Sequence, residues 1–120
     1  MARPPKYNAD YFPHDADMRN DIKVGLLRKR FTNDGYCFFS YMLELLTESD
    51  YFRHKWDEDT RTFLARSFDI EEERFNEIAE MAINDLKLFQ IKDGMIFSKK
   101  LIERLEKALG RTIVPDELIN

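Results

Sequence analysis

The sequence has few residues that cross-link or interrupt a chain, and it has no long hydrophobic run. Of its 120 residues, one is cysteine, four are glycine and four are proline. A single cysteine, Cys37, excludes an internal disulfide and is typical of a reducing compartment, which predicts a cytoplasmic location. The most apolar run, residues 36–46, is too short to cross a bilayer, so no membrane contact is expected. Residues 1–6 contain no apolar stretch and do not resemble a signal peptide.

Charge is unevenly distributed along the chain. The formal net charge is −4, but residues 57–85 hold three Lys and Arg against ten Asp and Glu. The flanking segments 1–56 and 86–120 are both mildly basic. A domain that serves only to bind nucleic acid is usually basic overall. This charge pattern therefore argues against a domain whose whole surface binds nucleic acid.

Periodicity and turn residues predict a mainly helical domain between two extended segments. Residues 1–19 are expected to form an N-terminal arm, because its prolines oppose helix formation. Residues 110–120 are expected to form a flexible tail. The domain between them, residues 20–109, carries five segments with helical spacing, at 20–31, 36–51, 58–68, 70–87 and 99–109.

Apolar spacing and capping residues refine these five helices. Asp57 and Ser98 are expected to cap the third and fifth helices, Asp69 with Glu72 resembles a capping box for the fourth, and Gly110 ends the fifth. The expected inner faces are Ile22, Leu26, Leu27 and Phe31 in the first helix, Phe63, Leu64 and Phe68 in the third, and Leu101, Ile102, Leu105 and Leu109 in the fifth.

The strongest local signal is a two-residue β-hairpin around Asp93-Gly94. This dipeptide accepts the positive φ values that a type I′ turn requires. Two helices joined by a short turn and followed at once by a hairpin are the sequence pattern of a winged helix-turn-helix. The predicted fold class is therefore mainly α with one β-hairpin, a winged helix with an extended N-terminal arm. The turn also predicts three cross-strand pairs: Lys92 with Met95, Ile91 with Ile96, and Gln90 with Phe97.

Particular motifs in the chain resemble a known family. The motif Ala9-Asp10-Tyr11-Phe12-Pro13-His14-Asp15, then Asp21, Lys23, Gly35-Tyr36, Leu43, Leu45 and Leu46, is similar to an N-terminal domain of unknown function in bacterial phage and mobile-element proteins. Leu88-Phe89, Asp93-Gly94, Ser98, Leu101 and Arg104 resemble the hairpin and closing helix of that family. Both parts are similar to the N-terminal winged-helix domain of phage replisome organisers and DnaD-like primosome proteins. The resemblance covers residues 7–109 and implies a role in replication of a phage or integrated element.

Basic side chains outside the acidic segment are the candidates for nucleic-acid contact. The helix in the recognition position, residues 70–87, presents mainly carboxylates, which phosphates would repel in a major groove. The competing interpretation is that the basic residues only solubilise the surface and suit helix C-termini. The candidates lie on the arm, at the end of the first helix, on the hairpin and on the fifth helix: Arg3, Lys6, Arg28, Lys29, Arg30, Lys92, Lys99, Lys100 and Arg104.

No pattern in the sequence indicates catalysis, a metal or a cofactor. His14-Asp15 with Asp10 and Asp17 is the one cluster that hints at a metal, but structural zinc sites take four Cys or His ligands. Cys37 has no partner base, and no glycine-rich phosphate loop is present. The sequence therefore predicts a non-enzymatic module without a cofactor or a small-molecule substrate.

Two functions fit these observations. In the first, the chain is a DNA-associated module of a phage or mobile-element replication protein. It contacts the backbone of double-stranded DNA without sequence preference, through the arm, the end of the first helix and the hairpin. In the second, it is a protein-interaction or self-association module of the same machinery. Its partners are then replication proteins or a second copy, and the contact surface is the acidic fourth helix or the arm.

Overall fold

The computed structural model describes residues 21–120, which form five α-helices and a three-stranded sheet. The predicted arm, including Arg3, Lys6 and the His14-Asp15 cluster, lies outside the described residues. None of the helices within 21–120 has the length and apolar character needed to cross a membrane. The elements are α1 Ile22–Phe31, α2 Asn33–Glu48, β1 Arg53–Lys55, α3 Glu58–Ser67, α4 Glu72–Glu80, β2 Gln90–Lys92, β3 Met95–Phe97 and α5 Lys99–Leu109, with short 3-10 turns at Asp50–Phe52 and Asp116–Leu118.

A single residue, Thr32, separates α1 from α2. It has φ +57, which turns the chain, and α2 begins at Asn33 rather than at the predicted residue 36. Residues 32–35, whose Asn, Asp and Gly predict a turn between the first two helices, are therefore mostly helix. Gly35 lies where the two helices meet, since a β-carbon there would stand 2.6 Å from the carbonyl oxygen of Leu27. The missing side chain permits this close approach.

Replacing Gly35 by Ala is expected to lower the free energy of unfolding by about 1–3 kcal/mol, as overpacking does elsewhere. The added β-carbon meets the backbone of Leu27, which has no rotamer to move away. Urea denaturation followed by circular dichroism measures the change. Gly25 is the control, because a β-carbon there meets nothing within 4 Å, so Gly25→Ala gains about 0.5–1 kcal/mol from helix propensity. Equal stability of the two variants would contradict the close approach of α1 and α2.

The strands form an antiparallel sheet in the order β1-β3-β2. The hairpin pairs Lys92, Ile91 and Gln90 with Met95, Ile96 and Phe97, which confirms the predicted register. The first strand was not predicted. The sequence predicts a loop around His54, Lys55 and Trp56, but His54 and Lys55, with Arg53, pair with β3 along its other edge.

The cap of α3 is as predicted. The carboxylate of Asp57 accepts a hydrogen bond from the amide of Thr60 at 2.8 Å. Hydrogen bonds from Thr60 and from Lys55 lower the pKa of Asp57 below its usual range. The helix therefore starts where local sequence chemistry places it.

The predicted start and end of α4 are wrong. Asp69 has φ +57 and lies before the helix, while the carboxylate of Glu71 caps it by accepting from the amides of Glu73 and Arg74. Regular α-helix ends at Glu80 and continues as one π-helical turn, Met81–Asp85, short of the predicted residue 87. Asp69 does not cap the helix because its left-handed backbone turns the chain between α3 and α4.

The core is rich in aromatic rings. Phe38 of α2 is fully buried and meets Phe68, Phe75 and Phe89 edge to face, with ring centroids 5.2–6.3 Å apart. This geometry suits the ring quadrupoles and adds to the burial of apolar area. These rings join α2, the α3–α4 connection, α4 and the segment that leads into β2.

Four residues assigned to inner faces are instead exposed: Ile22, Leu26, Phe63 and Leu109. The other seven members of those faces are buried, and in α1 the buried set also includes Val24. Helical spacing predicts an apolar stripe on each helix, but the packing of neighbouring elements determines which of its side chains are buried. In α1 the buried side is the one that carries Val24, Leu27 and Phe31, which are spaced three and four residues apart.

Residues 110–120, predicted as a flexible tail, fold back on the domain. Gly110 has φ +68 and ends α5 as expected. The carboxylate of Glu106 then accepts hydrogen bonds from the amides of Ile113 and Val114 at 2.8 and 3.3 Å, and Val114 is buried. The ammonium of Lys92 donates to the carbonyls of Glu117 and Asn120.

Candidate nucleic-acid interface

A groove of about 290 Å³ lies between the start of α1, the segment before β2 and the start of α5. Its apolar lining is buried side chains of these elements and α2: Val24, Phe39, Leu43, Leu88 and Leu101. Its polar lining includes five cations, Lys23, Lys87, Lys99, Lys100 and Arg104, and two carboxylates, Asp21 and Glu103. We name it the cationic groove.

Gln90 holds two sides of the cationic groove together. Its side-chain oxygen accepts a hydrogen bond from the amide of Lys99 at 2.8 Å, and its side-chain nitrogen donates to the carbonyl of Lys87 at 2.8 Å. Ser98 caps α5 as predicted, accepting from the amide of Leu101 at 3.1 Å. These contacts fix the positions of Lys87 and Lys99 relative to each other.

Asp21 joins the starts of α1 and α5. Its carboxylate caps α1 through the amides of Lys23 and Val24, at 2.8 and 3.4 Å, and forms an ion pair with Lys100 at 2.7 Å. Burial alone would raise the pKa of Asp21, but the hydrogen bonds from Lys100 and from the two amides lower it. The charge of Lys100 is thus partly neutralised, which leaves four other cations and the carboxylate of Glu103 in the lining of the groove.

Replacing Asp21 by Ala is expected to cost about 1–2 kcal/mol of unfolding free energy at pH 7, mostly from the lost helix cap. Asp21→Asn keeps a capping oxygen and loses only the ion pair, so it costs about 0.5 kcal/mol because Lys100 is solvent-exposed. The pKa of Asp21 in the folded chain lies below the usual 3.8. The stabilisation that ionised Asp21 gives is therefore fully present well above pH 3.8, and it is lost as the pH falls from there through the folded-state pKa. Urea titrations at pH 7 and pH 3 test this, and an Asp21→Asn cost unchanged by pH would contradict it.

The three cations at the end of α1 do not share one side of the helix. Arg30 follows Lys23 by seven residues, two helical turns, so both lie on the same side of α1. Arg28 points elsewhere, since its guanidinium lies 5.7 Å from the ring centre of Tyr36 in α2. Of the predicted run Arg28, Lys29 and Arg30, the helix therefore brings only Arg30 towards the side of Lys23.

The remaining predicted cations divide between the groove and the tail. Lys99, Lys100 and Arg104 all line the cationic groove, whereas the ammonium of Lys92 is bonded to the C-terminal segment. Two groove cations, Lys23 and Lys87, were not predicted as candidates. Lys23 belongs to the motif that carried the family resemblance, but no sequence pattern marked Lys87 because its position depends on the Gln90 contact.

The outer face of α4 is acidic, as the sequence predicted. Its exposed residues include Glu72, Glu73, Glu77 and Glu80. The one cation of this helix, Arg74, is turned inward and bonds to the carboxylate of Asp34 and the carbonyl of Phe31, each at 2.8 Å. The single basic side chain of α4 therefore contacts α1 and α2 and adds no positive charge to the outer face of the helix.

Two other kinds of site, a metal ion held by side chains and a reactive thiol, depend on the geometry of the described residues. Within residues 21–120, no three His, Cys, Asp or Glu side chains converge as a metal ion would require. Burial and the nearby charge of Asp34 raise the pKa of the Cys37 thiol. A thiol with a raised pKa is mostly protonated at neutral pH and is a poor nucleophile.

Comparison with known proteins places the chain in a family. A family model described as Lin1244/Lin1753-like, N-terminal, matches residues 11–101. The chain is also 30% identical, over 120 residues and 92% of its length, to the uncharacterized phage-related protein Lin1244/Lin1753 of Listeria innocua serovar 6a. It spans 37% of that relative's length, and no solved structure matches it. The expected likeness to an N-terminal domain of phage-related proteins is confirmed, and the chain belongs to the Lin1244/Lin1753-like N-terminal family.

Proposed function

We propose that the chain is a non-enzymatic, DNA-associated module of a phage or mobile-element replication protein, with a winged-helix fold. Support for the fold comes from the order of its elements. A helix, α2, is followed by strand β1, a pair of helices α3 and α4, and the hairpin β2–β3. In this interpretation α4 occupies the recognition position and the hairpin is the wing. The phage-related name of the Listeria innocua relative supports the phage or mobile-element context.

The observation that carries the proposal is the convergence of five cations around the cationic groove. Contact with a duplex without sequence preference requires several phosphates to be met at once. The N-termini of α1 and α5 also border this groove. Asp21 and Ser98 already cap their first turns, so the two helix dipoles add a partial positive charge rather than amide donors. Lys23 and Lys99, together with Arg104, add full charges to these dipoles. The groove and the adjoining side of α1 therefore make the best phosphate-binding surface in the described chain.

The acidic face of α4 determines how the duplex is approached. Insertion of α4 into a major groove would place at least four carboxylates between two rows of phosphates. We therefore expect contact with the DNA backbone alone, without readout of bases by α4. Contact of this kind gives affinity and orientation but little sequence preference.

Binding to a fluorescent duplex of random sequence, measured by anisotropy at several salt concentrations, tests the proposal. Four or five phosphate contacts predict that the logarithm of the association constant falls with the logarithm of salt with a slope of about −4. Duplexes of unrelated sequence should bind equally well. Absence of binding at about 50 mM salt, where such contacts are strong, would exclude the proposal.

The second candidate function is a protein-interaction or self-association module of the same replication machinery. It is favoured by the acidic face of α4, which suits a basic protein surface better than DNA. Light scattering across a range of protein concentrations distinguishes self-association from binding to a different protein. A mass that grows with concentration supports self-association, whereas a constant monomer mass leaves a different protein as the partner.

A further inference from the structure

A second groove, of about 420 Å³, lies between α4, the start of α3 and strand β2. Its apolar lining comes from Trp56, Ala79, Ile83 and Ile91, and its other lining residues are polar or charged: Glu58, Arg61, Glu72, Asn76, Glu80 and Asn84. Three carboxylates thus surround an apolar strip and face one guanidinium. We name it the acidic groove.

Internal contacts already engage the one cation of the acidic groove. Arg61 places its guanidinium 5.8 Å from the ring centre of Trp56 and donates a hydrogen bond to the Trp56 carbonyl at 3.4 Å. Glu72 is held in place by Thr62, whose hydroxyl donates to its carboxylate at 2.8 Å. Glu58 and Glu80 are exposed. The groove therefore presents a net negative potential.

The apolar strip gives the groove a second kind of contact. Ile91 is 44% exposed although it stands in a strand, and it lines the groove together with Ile83. Trp56, by contrast, is 9% exposed and packs against Phe75 of the core. An apolar side chain that entered the groove would cover Ile91 and contact the edge of a fixed indole ring.

We infer that the acidic groove binds a short basic segment of a partner protein, in which Lys or Arg side chains flank an apolar residue. The cations meet Glu58, Glu72 and Glu80, and the apolar residue covers Ile91. The charge of the groove selects this occupant, because it repels phosphates and acidic peptides. This adds a protein-binding surface to the proposed DNA contact, and it does not depend on that contact, because the cationic groove uses different residues.

Trp56 supplies a direct test, because it is the one tryptophan in the chain and it lines the acidic groove. The probe is a peptide of about twelve residues that alternates Lys and Leu, long enough to cross the groove. Its addition at low salt should change the Trp56 emission and saturate. The Glu and Leu analogue should leave the emission unchanged, and a peptide of Lys alone should bind more weakly.

Two variants locate the bound peptide. Glu80→Lys should weaken peptide binding at least about tenfold, since it reverses a charge within the groove. Ile91→Thr keeps a residue that favours strands and should weaken binding roughly threefold to tenfold without changing its salt dependence. Glu77→Lys is the matched control: Glu77 is also an exposed carboxylate of α4 but does not line the groove. It should weaken binding less than Glu80→Lys does, because Glu77 lies one helical turn from Glu80 and outside the lining of the groove. Circular dichroism confirms that each variant is folded.

Several outcomes would overturn the inference. The first is the absence of any emission change at low salt, and the second is equal weakening by Glu80→Lys and Glu77→Lys. An emission that varies with protein concentration alone would identify a second copy as the occupant. Emission quenched by a DNA duplex would identify DNA instead. Failure of the duplex to bind the cationic groove leaves the peptide result untouched, so the two proposals fail separately.

Discussion

Replacing Lys23, Lys99 and Arg104 together by Gln is expected to weaken duplex binding roughly 500-fold near 0.1 M salt and to flatten the salt slope by about 2.7. Each phosphate contact adds about 0.9 to that slope, and at 0.1 M salt each contributes close to a factor of ten to the affinity. All three residues lie in helices and line the cationic groove. Gln has nearly the helix propensity of Lys and Arg, so the fold is preserved.

A matched control removes the same charge elsewhere. Arg66, Lys107 and Arg111 are exposed cations that do not line the cationic groove. Their joint replacement by Gln should weaken binding much less than the groove variant does, because none of the three lines the proposed contact surface and salt screens exposed charges over about 10 Å at 0.1 M. Equal weakening by the two triple variants would mean that net charge alone attracts the duplex. In that case the cationic groove would not be the contact surface.

The run at the end of α1 provides a second comparison. From the sequence alone, Arg28, Lys29 and Arg30 are three adjacent candidates at the end of the first helix. In the structure only Arg30 lies on the side of α1 that carries Lys23, and Arg28 lies over Tyr36. Replacing all three by Gln should therefore flatten the slope by about 0.9, one contact rather than three. A loss of affinity as large as that of the groove variant would indicate that the end of α1 is the contact surface.

Those elements that depend on local chemistry were predictable from the sequence. The Asp93-Gly94 turn determines the register of the hairpin without help from the rest of the chain, and all three predicted pairs are present. The caps of Asp57 and Ser98 and the stop at Gly110 are equally local. Each of these features involves residues within a few positions of one another.

Elements that depend on distant residues were missed. Strand β1 is three polar residues long and has no alternation, and it exists because β3, far along the chain, offers an edge with which it pairs. Asn33, Asp34 and Gly35 favour a turn in isolation, but they form the first turn of α2. Here Gly35 serves the contact with Leu27 instead. Tertiary packing overrides local preference in both cases.

The candidate site was predictable in its parts but not as a surface. Lys99, Lys100 and Arg104 were identified from charge alone, and they line one groove. Lys23 and Lys87 join them only because Asp21 links α1 to α5 and Gln90 links Lys87 to Lys99. Such long-range polar contacts have no periodic signature in a sequence. The sequence pattern also does not distinguish Lys92 from the cations of the groove, although the ammonium of Lys92 is bonded to the C-terminal segment.

Replacing Phe38 by Ala is expected to cost about 3–5 kcal/mol of unfolding free energy, a large part of the stability of a domain of this size. The ring is fully buried and contacts three other rings, with its nearest partner, Phe75, 5.2 Å away between centroids. Its removal leaves a cavity among groups that several elements hold in place, so they relax only in part. Urea denaturation followed by Trp56 emission and by circular dichroism measures the loss.

Phe63 provides the matched control, because sequence periodicity places it in the core and the structure leaves it 67% exposed. Phe63→Ala should change the free energy of unfolding by less than about 0.5 kcal/mol, as surface substitutions do. The two variants remove the same side chain from helices of one domain, so their difference measures burial directly. Similar costs for both would mean that α3 turns its other side to the core. The acidic groove would then change with it, since Glu58 and Arg61 of α3 line that groove.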